Sequence, residues 1–149
     1  MEHSCLHNVI QTLSVRYQRY VDDTFALVRS EKDAYELLHA LNAVHPNLQF
    51  TCEFQSNGRL PFLDVLVSRS DEGRAITAVY RKPTWTGLYL NFNSFVPLKY
   101  KSSLVRTLFD RARKICSPST FEKEASFLFD TLKDSGYPAD FLQRHVLLP

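Results

Sequence analysis

From residue 48 onward the hydrophobic period of this chain shifts from two residues to nearly four, and that points to strands followed by helices over this part of the chain. Leu48, Phe50, Cys52 and Phe54 alternate with Gln49, Thr51, Glu53 and Gln55, the pattern of a half-buried strand. Asn57-Gly58 is a strong turn signal. Phe62 to Val67 reads as a second strand, Asp71-Glu72-Gly73 as a turn and Ala75 to Tyr80 as a third strand. Residues 48–80 are therefore expected to form an antiparallel meander. From Lys99 onward Leu104, Val105, Leu108, Phe109, Ala112 and Ile115 share one flank of a helix, and Arg106, Asp110, Arg111, Arg113 and Lys114 share the other. Lys101 falls on the apolar side, at the expected frayed start. Ser117-Pro118 interrupts the period. Ser119-Thr120-Phe121-Glu122 has capping-box spacing, followed by the stripe Phe121, Ala125, Leu128 and Leu132. Gly136 is placed to end that helix. Pro138 to Val146 reads as a short last helix with Phe141, Leu142 and Val146 inward.

Upstream, Arg16 to Val21 and Thr24 to Val28 are aromatic and β-branched segments on either side of Asp22-Asp23, which reads as a hairpin tip. Ser30-Glu31-Lys32-Asp33 has the spacing of a helix start. Ala34, Leu37, Leu38, Leu41 and Val44 make its apolar face, and Pro46 ends it. The order is hairpin, helix, meander and three helices: an α+β chain with a helical annex. The expected boundary lies between about residues 85 and 98, giving segments 1–90 and 91–149.

Composition excludes whole classes. With 149 residues, 44% hydrophobic and 13% aromatic, the chain can bury a core, so disorder is not its main state. No apolar run reaches the roughly 18 residues of a membrane span. Met1-Glu2-His3-Ser4-Cys5 lacks the basic and apolar segments of a signal peptide. Cys5, Cys52 and Cys116 are odd in number and far apart, which argues against a disulfide framework. These features point to an intracellular protein, cytoplasmic or nuclear, that is not secreted and has no membrane partner. Oligomeric state is not legible. Charge is unevenly placed. Residues 1–73 hold six basic and ten acidic side chains, and residues 74–116 hold nine basic and one acidic. An acidic part beside a basic one suits a protein that brings cations and a polyanion together. A basic segment that only solvates one face is the alternative.

The sharpest chemical signal is Tyr20-Val21-Asp22-Asp23. Two adjacent carboxylates at a tight bend repel each other, and a divalent cation removes that cost. Mg2+ takes oxygen ligands and commonly binds one or two carboxylates together with waters and substrate phosphates. Two such ions would activate a 3′-hydroxyl and neutralise a leaving pyrophosphate. The alternative is a solvated Asp-Asp turn.

Arg19-Tyr20-Val21-Asp22-Asp23-Thr24-Phe25 resembles the catalytic motif of reverse transcriptases, in the palm domain. Leu60-Pro61-Phe62-Leu63-Asp64-Val65-Leu66-Val67, then Val79-Tyr80-Arg81-Lys82-Pro83-Thr84, then Leu104 through Cys116, narrow the resemblance to the Penelope-like retroelements over about residues 16–117. Residues 99–149 also resemble the helix-turn-helix-type segment that follows the palm in animal proteins of this kind, in a thumb-like role. The resemblance implies a partial polymerase palm followed by three helices. It implies that Asp22 and Asp23 are catalytic metal ligands and that Tyr20 and Val21 lie near primer and template. It places the Phe62–Val67 segment where the primer is gripped. The implied cofactor is Mg2+, with Mn2+ as substitute, provided the metal site survives without the upstream palm. The implied partners are an RNA template and a DNA primer. The family also needs a third carboxylate upstream of the hairpin, and Glu2 is the only acid among the 19 residues before Tyr20. The expectation is a fragment of an RNA-directed DNA polymerase that does not polymerise by itself.

A second candidate site is basic and aromatic. Arg81, Lys82, Lys99, Lys101, Arg106, Arg111, Arg113 and Lys114 could track phosphates while Trp85 stacks on a base or sugar. Tyr89, Phe92, Phe95 and Tyr100 accompany them, with core packing as the competing role, above all for Phe92 and Phe95. Two further functional readings therefore stand beside the polymerase fragment: a non-catalytic nucleic-acid-binding module of helix-turn-helix type, and a truncated gene product with no function of its own. His3, Cys5 and His7 could line one side of a strand and hold a metal, but a ragged N-terminus explains them more simply. Cys52 reads as a core residue, Cys116 as a thiol with basic neighbours but no His base, Asp64 as a solvent-facing acid and His39 as solvated.

Overall fold

The computed structural model describes residues 2–146, with side chains from Leu6 onward. The chain divides into two compact units, residues 1–55 and 56–149. Both contain helices and antiparallel strands, so the fold is α+β with a helical C-terminal region.

The first unit opens with α1 (Glu2–Leu13), which runs directly into β1 (Ser14–Tyr20). The expected ragged N-terminus is thus a helix, and His7 lies on it. The side chains of His3 and Cys5 fall outside the described residues. Leu6, Val9, Ile10 and Leu13 are spaced for one helical face and are all half-buried. β1 pairs antiparallel with β2 (Asp23–Val28), from Ser14 opposite Val28 to Tyr20 opposite Asp23, with an irregularity between Ser14 and Arg16. The two residues outside the ladder at the bend are Val21 and Asp22, so the tip sits one residue earlier than expected. α2 (Glu31–Asn42) starts as expected: the Ser30 hydroxyl accepts from the Asp33 N–H. Ala34, Leu37 and Leu41 are its buried face.

Residues 48–54 do not form the expected strand. They pair with no strand among the described residues, and Leu48, Cys52 and Phe54 are exposed. Cys52 is therefore not a core residue. The physical reason lies in Asn42. Its amide donates to the Phe50 carbonyl at 3.1 Å and accepts from the Phe50 N–H at 2.6 Å. Both backbone groups that Phe50 could offer a neighbouring strand are spent on one side chain.

The second unit begins with the meander, which is shorter and differently phased than expected. Its strands are β3 (Arg59–Phe62), β4 (Val65–Arg69) and β5 (Ala75–Val79), in that spatial order. Asn57 and Gly58 both have positive φ, the requirement of a two-residue type I′ bend. The expected Phe62–Val67 strand is broken at Leu63-Asp64, where the chain reverses between Phe62 and Val65. Pro61 is tolerated because β3 is an edge strand.

Three helices follow: α3 (Leu98–Ile115), α4 (Pro118–Asp134) and α5 (Ala139–Val146). α4 starts at Pro118, one residue before the expected capping box, with Pro at its first position. It ends in a Schellman motif. The Gly136 N–H donates to Lys133 and the Tyr137 N–H to Leu132, with Gly136 at φ +87°. Val105, Phe109 and Ala112 from α3 meet Leu128 and Leu132 from α4, and Tyr137, Phe141 and Leu142 close the cluster. Phe109, Leu128, Leu132 and Leu142 are essentially fully buried, each contributing about 2 kcal/mol by burial. Tyr89 and Phe92 pack against them. The meander is joined to this core at one edge. Thr77 of β5 receives the Ser117 N–H on its carbonyl at 2.9 Å, and its own N–H donates to the Ser117 hydroxyl at 3.0 Å. The Thr77 hydroxyl reaches the Ile115 carbonyl at 2.6 Å.

Candidate functional site

The bend of the first unit presents Tyr20, Val21, Asp22 and Asp23 in sequence, all exposed. Val21 has φ +52°. A β-branched residue in that region is a genuine steric outlier, and positive φ at the first bend position is where Gly is preferred. The Arg19 Nε–H donates to the Val21 carbonyl at 2.8 Å and holds the bend. Residues held in sparsely populated backbone conformations cluster at functional sites. Asp22 and Asp23 offer two exposed carboxylates, the type of oxygen ligand that a hard cation takes alongside waters and phosphates. Among the described residues no three His, Cys, Asp or Glu side chains gather as a metal site. The two acids therefore fit Mg2+ or Mn2+ only as a partial ligand set.

The second unit carries a cleft of about 350 Å³ lined by Tyr80, Arg81, Lys82, Thr84, Trp85, Tyr89 and Arg111. Here the segment leaving β5 meets α3, and three of the basic residues singled out from the sequence come together. They are not equivalent. The Arg81 guanidinium meets both carboxylate oxygens of Glu124, one of them at 2.9 Å, with little exposure on either side. It also lies over the rings of Trp85 and Phe127. Burial pulls its pKa down, but the Glu124 carboxylate and the Tyr89 hydroxyl outweigh that, and the net shift is upward. Arg81 is a structural cation. Arg111 pairs with Asp64 at 2.7 Å with both side chains about half exposed, so Asp64 does not simply face solvent. Lys82 is exposed and forms no ion pair among the described residues.

The remaining candidates sort by position. Arg106 and Lys114 are exposed on α3 and form no ion pair among the described residues. Arg113 is tied to Asp110 at 3.0 Å and to the Val146 carbonyl. Lys99 is exposed, with its ammonium over the Tyr100 ring. Lys101 is the clear correction. It is 7% exposed, donates to the Ser94 carbonyl at 2.8 Å and sits beside the Phe92 ring. A buried ammonium already bonded in this way is not presented to phosphates, and its place on the apolar side of the helix was no fraying artefact. Trp85 is half-buried against Tyr89 and Phe127. Phe92 packs on Tyr137 and Phe141 and belongs to the core, whereas Phe95 is fully exposed.

Two residues that shape this site, Glu124 and Asp64, were not recognisable as partners from the sequence. Glu124 had a signal: it stands one helical turn before Leu128 on the buried stripe of α4, where an unpaired acid would not be tolerated.

Among the described residues, no helix is long and apolar enough to cross a membrane. Comparison with curated proteins and with solved structures returns no match. A family model does match part of the chain. Its span takes in the 89–97 segment as well as all three helices, in keeping with the packing of Tyr89 and Phe92 on the helical core. Residues 88–146 are similar to the animal helix-turn-helix domain.

Proposed function

We propose that this chain is a nucleic-acid-binding module whose contact surface is the cleft between residues 80–89 and α3, extended along the exposed side of α3. The observation that carries this reading is the cleft itself, where Lys82 and Arg111 converge beside Trp85. The cations supply phosphate contacts without sequence preference. The similarity of residues 88–146 to a helix-turn-helix domain supports the same reading. In such domains the helix after a short Gly-containing turn commonly enters the groove. Here α5 follows such a turn, but its exposed side holds one basic residue, Arg144. The cationic surface lies on α3 instead. The test is fluorescence anisotropy with single- and double-stranded oligonucleotides over a range of salt. Lys82→Gln, Arg106→Gln and Lys114→Gln together should weaken binding and flatten the salt slope by roughly one unit per lost phosphate contact. An unchanged slope overturns the proposal.

The strained bend at Val21 favours a finer reading of the whole. In this reading residues 1–90 are the C-terminal part of a reverse-transcriptase palm of the Penelope-like type, and residues 91–149 are a thumb-like segment. Asp22 and Asp23 would hold Mg2+ or Mn2+, which would supply charge neutralisation at a primer terminus. Tyr20 and Val21 would face primer and template. The chain itself does not polymerise in this reading, and it works inside the cell. Mg2+ should raise the thermal midpoint in the wild type and not in Asp22→Asn. Equal responses of the two proteins would sink it, and template-dependent primer extension lost in Asp22→Ala would overturn the expectation that the chain does not polymerise by itself.

A further inference from the structure

We infer that Arg111, in the wall of the cleft between residues 80–89 and α3, is a phosphate contact held in reserve by Asp64, whose carboxylate takes the guanidinium donors that a ligand's phosphate would use. This deepens the nucleic-acid reading of the same surface and rests on it for the identity of the ligand, a phosphodiester strand. The bend that carries Asp64 is built for the purpose. Leu63 adopts φ +56°, a conformation unfavourable for a residue with a Cβ. The Tyr80 N–H donates to the Asp64 carbonyl at 2.7 Å, so the backbone of Asp64 is held by the residue that follows β5 whether or not its side chain is paired. The carboxylate is thereby fixed opposite Arg111, at 2.7 Å.

That ion pair does little for stability, because both partners are about half exposed and screened. It does determine what Arg111 can reach. A guanidinium binds phosphate and carboxylate with the same fork of N–H donors, so a phosphate entering the cleft exchanges with Asp64. Arg81 cannot make this exchange, since Glu124 holds it with both oxygens in a poorly exposed position. Lys82 and Thr84 line the same cleft and give it a further cation and a further polar residue. The arrangement makes Asp64 a built-in competitor that keeps weak anions out and lets a polyanion in.

The experiment uses the full chain with a labelled single-stranded oligonucleotide, and inorganic phosphate as a second probe read by NMR at the Arg111 side chain. Asp64→Asn should tighten oligonucleotide binding several-fold and steepen the salt slope by about one unit. Asp71→Asn, the same charge change beyond the far end of β4, should do distinctly less. The Asp64→Asn gain should vanish in an Arg111→Gln background. Equal effects of Asp64→Asn and Asp71→Asn, or a gain that survives Arg111→Gln, overturns the proposal. If neither protein binds the oligonucleotide but phosphate perturbs Arg111 more strongly in Asp64→Asn, the phosphate contact stands and the nucleic-acid reading falls. If the oligonucleotide binds and Asp64→Asn changes nothing, the reverse holds.

Discussion

Two single residues sit in conformations or surroundings that oppose stability, and both lead to predictions of unusual sign. Val21 holds a positive φ that a β-branched side chain disfavours. Val21→Gly should stabilise the first unit by on the order of 1 kcal/mol, read as a higher thermal midpoint in the hairpin's circular dichroism. If the bend is a functional device, that variant should lose Mg2+ response while gaining stability. Tyr137 is 2% exposed, and among the described residues its hydroxyl has no hydrogen-bond partner. Tyr137→Phe should therefore be neutral or stabilising by about 1 kcal/mol. Burial also pushes the Tyr137 phenol above its ordinary range. The folded state then holds its proton where the unfolded state has released it. This contribution to stability is intact below about pH 10 and lost as pH rises through the folded value. Denaturant titrations above that pH should show a steeper alkaline loss in the wild type than in Tyr137→Phe.

At the scale of elements, α4 is anchored to the segment after β5 by Arg81 and Glu124. Removing one member strands a poorly exposed charge, so Glu124→Leu should cost about 3 kcal/mol. Arg81→Met with Glu124→Leu should recover most of that loss in urea titrations. Neither half of this pair announced the other in the sequence, because they lie 43 residues apart. The three helices of the second unit were legible for the opposite reason. Their apolar spacing and the Gly136 terminus are local signals, and the buried faces match. The strand expected at 48–54 was not realised because alternation describes a surface that needs a neighbour, and Asn42 took the bonds a neighbour would have made. The bend at Leu63-Asp64 is not legible in the sequence, because a leucine gives no sign of a positive φ. At the candidate site, the acids of the first bend and most exposed cations were identifiable by type. Which cations are committed to carboxylates or carbonyls, as Arg81, Arg113 and Lys101 are, depends on tertiary placement.

At the scale of the molecule, the two units differ in how much they bury. Among the described residues, the second has a cluster of eight buried residues spanning three helices, and the first has Ala34, Leu37 and Leu41 on a single helix together with Ser14. Residues 56–149 should fold as an isolated fragment with native-like tertiary signals, and amides of residues 14–28 should exchange faster than those of α3 and α4 in the full chain. A fragment lacking near-ultraviolet dichroism would contradict this. The tie between Thr77 and Ser117 has a consequence for how the protein behaves in crowded solution. A bare sheet rim templates growth by further chains. On one side of the meander that rim is filled by the link between two helices, and on the other a proline withholds a donor. Among the described residues the two-stranded sheet of the first unit pairs with no further strand, so any fibrillar assembly is expected to start from residues 14–28, and limited proteolysis of fibrils should find that segment protected and the second unit spared.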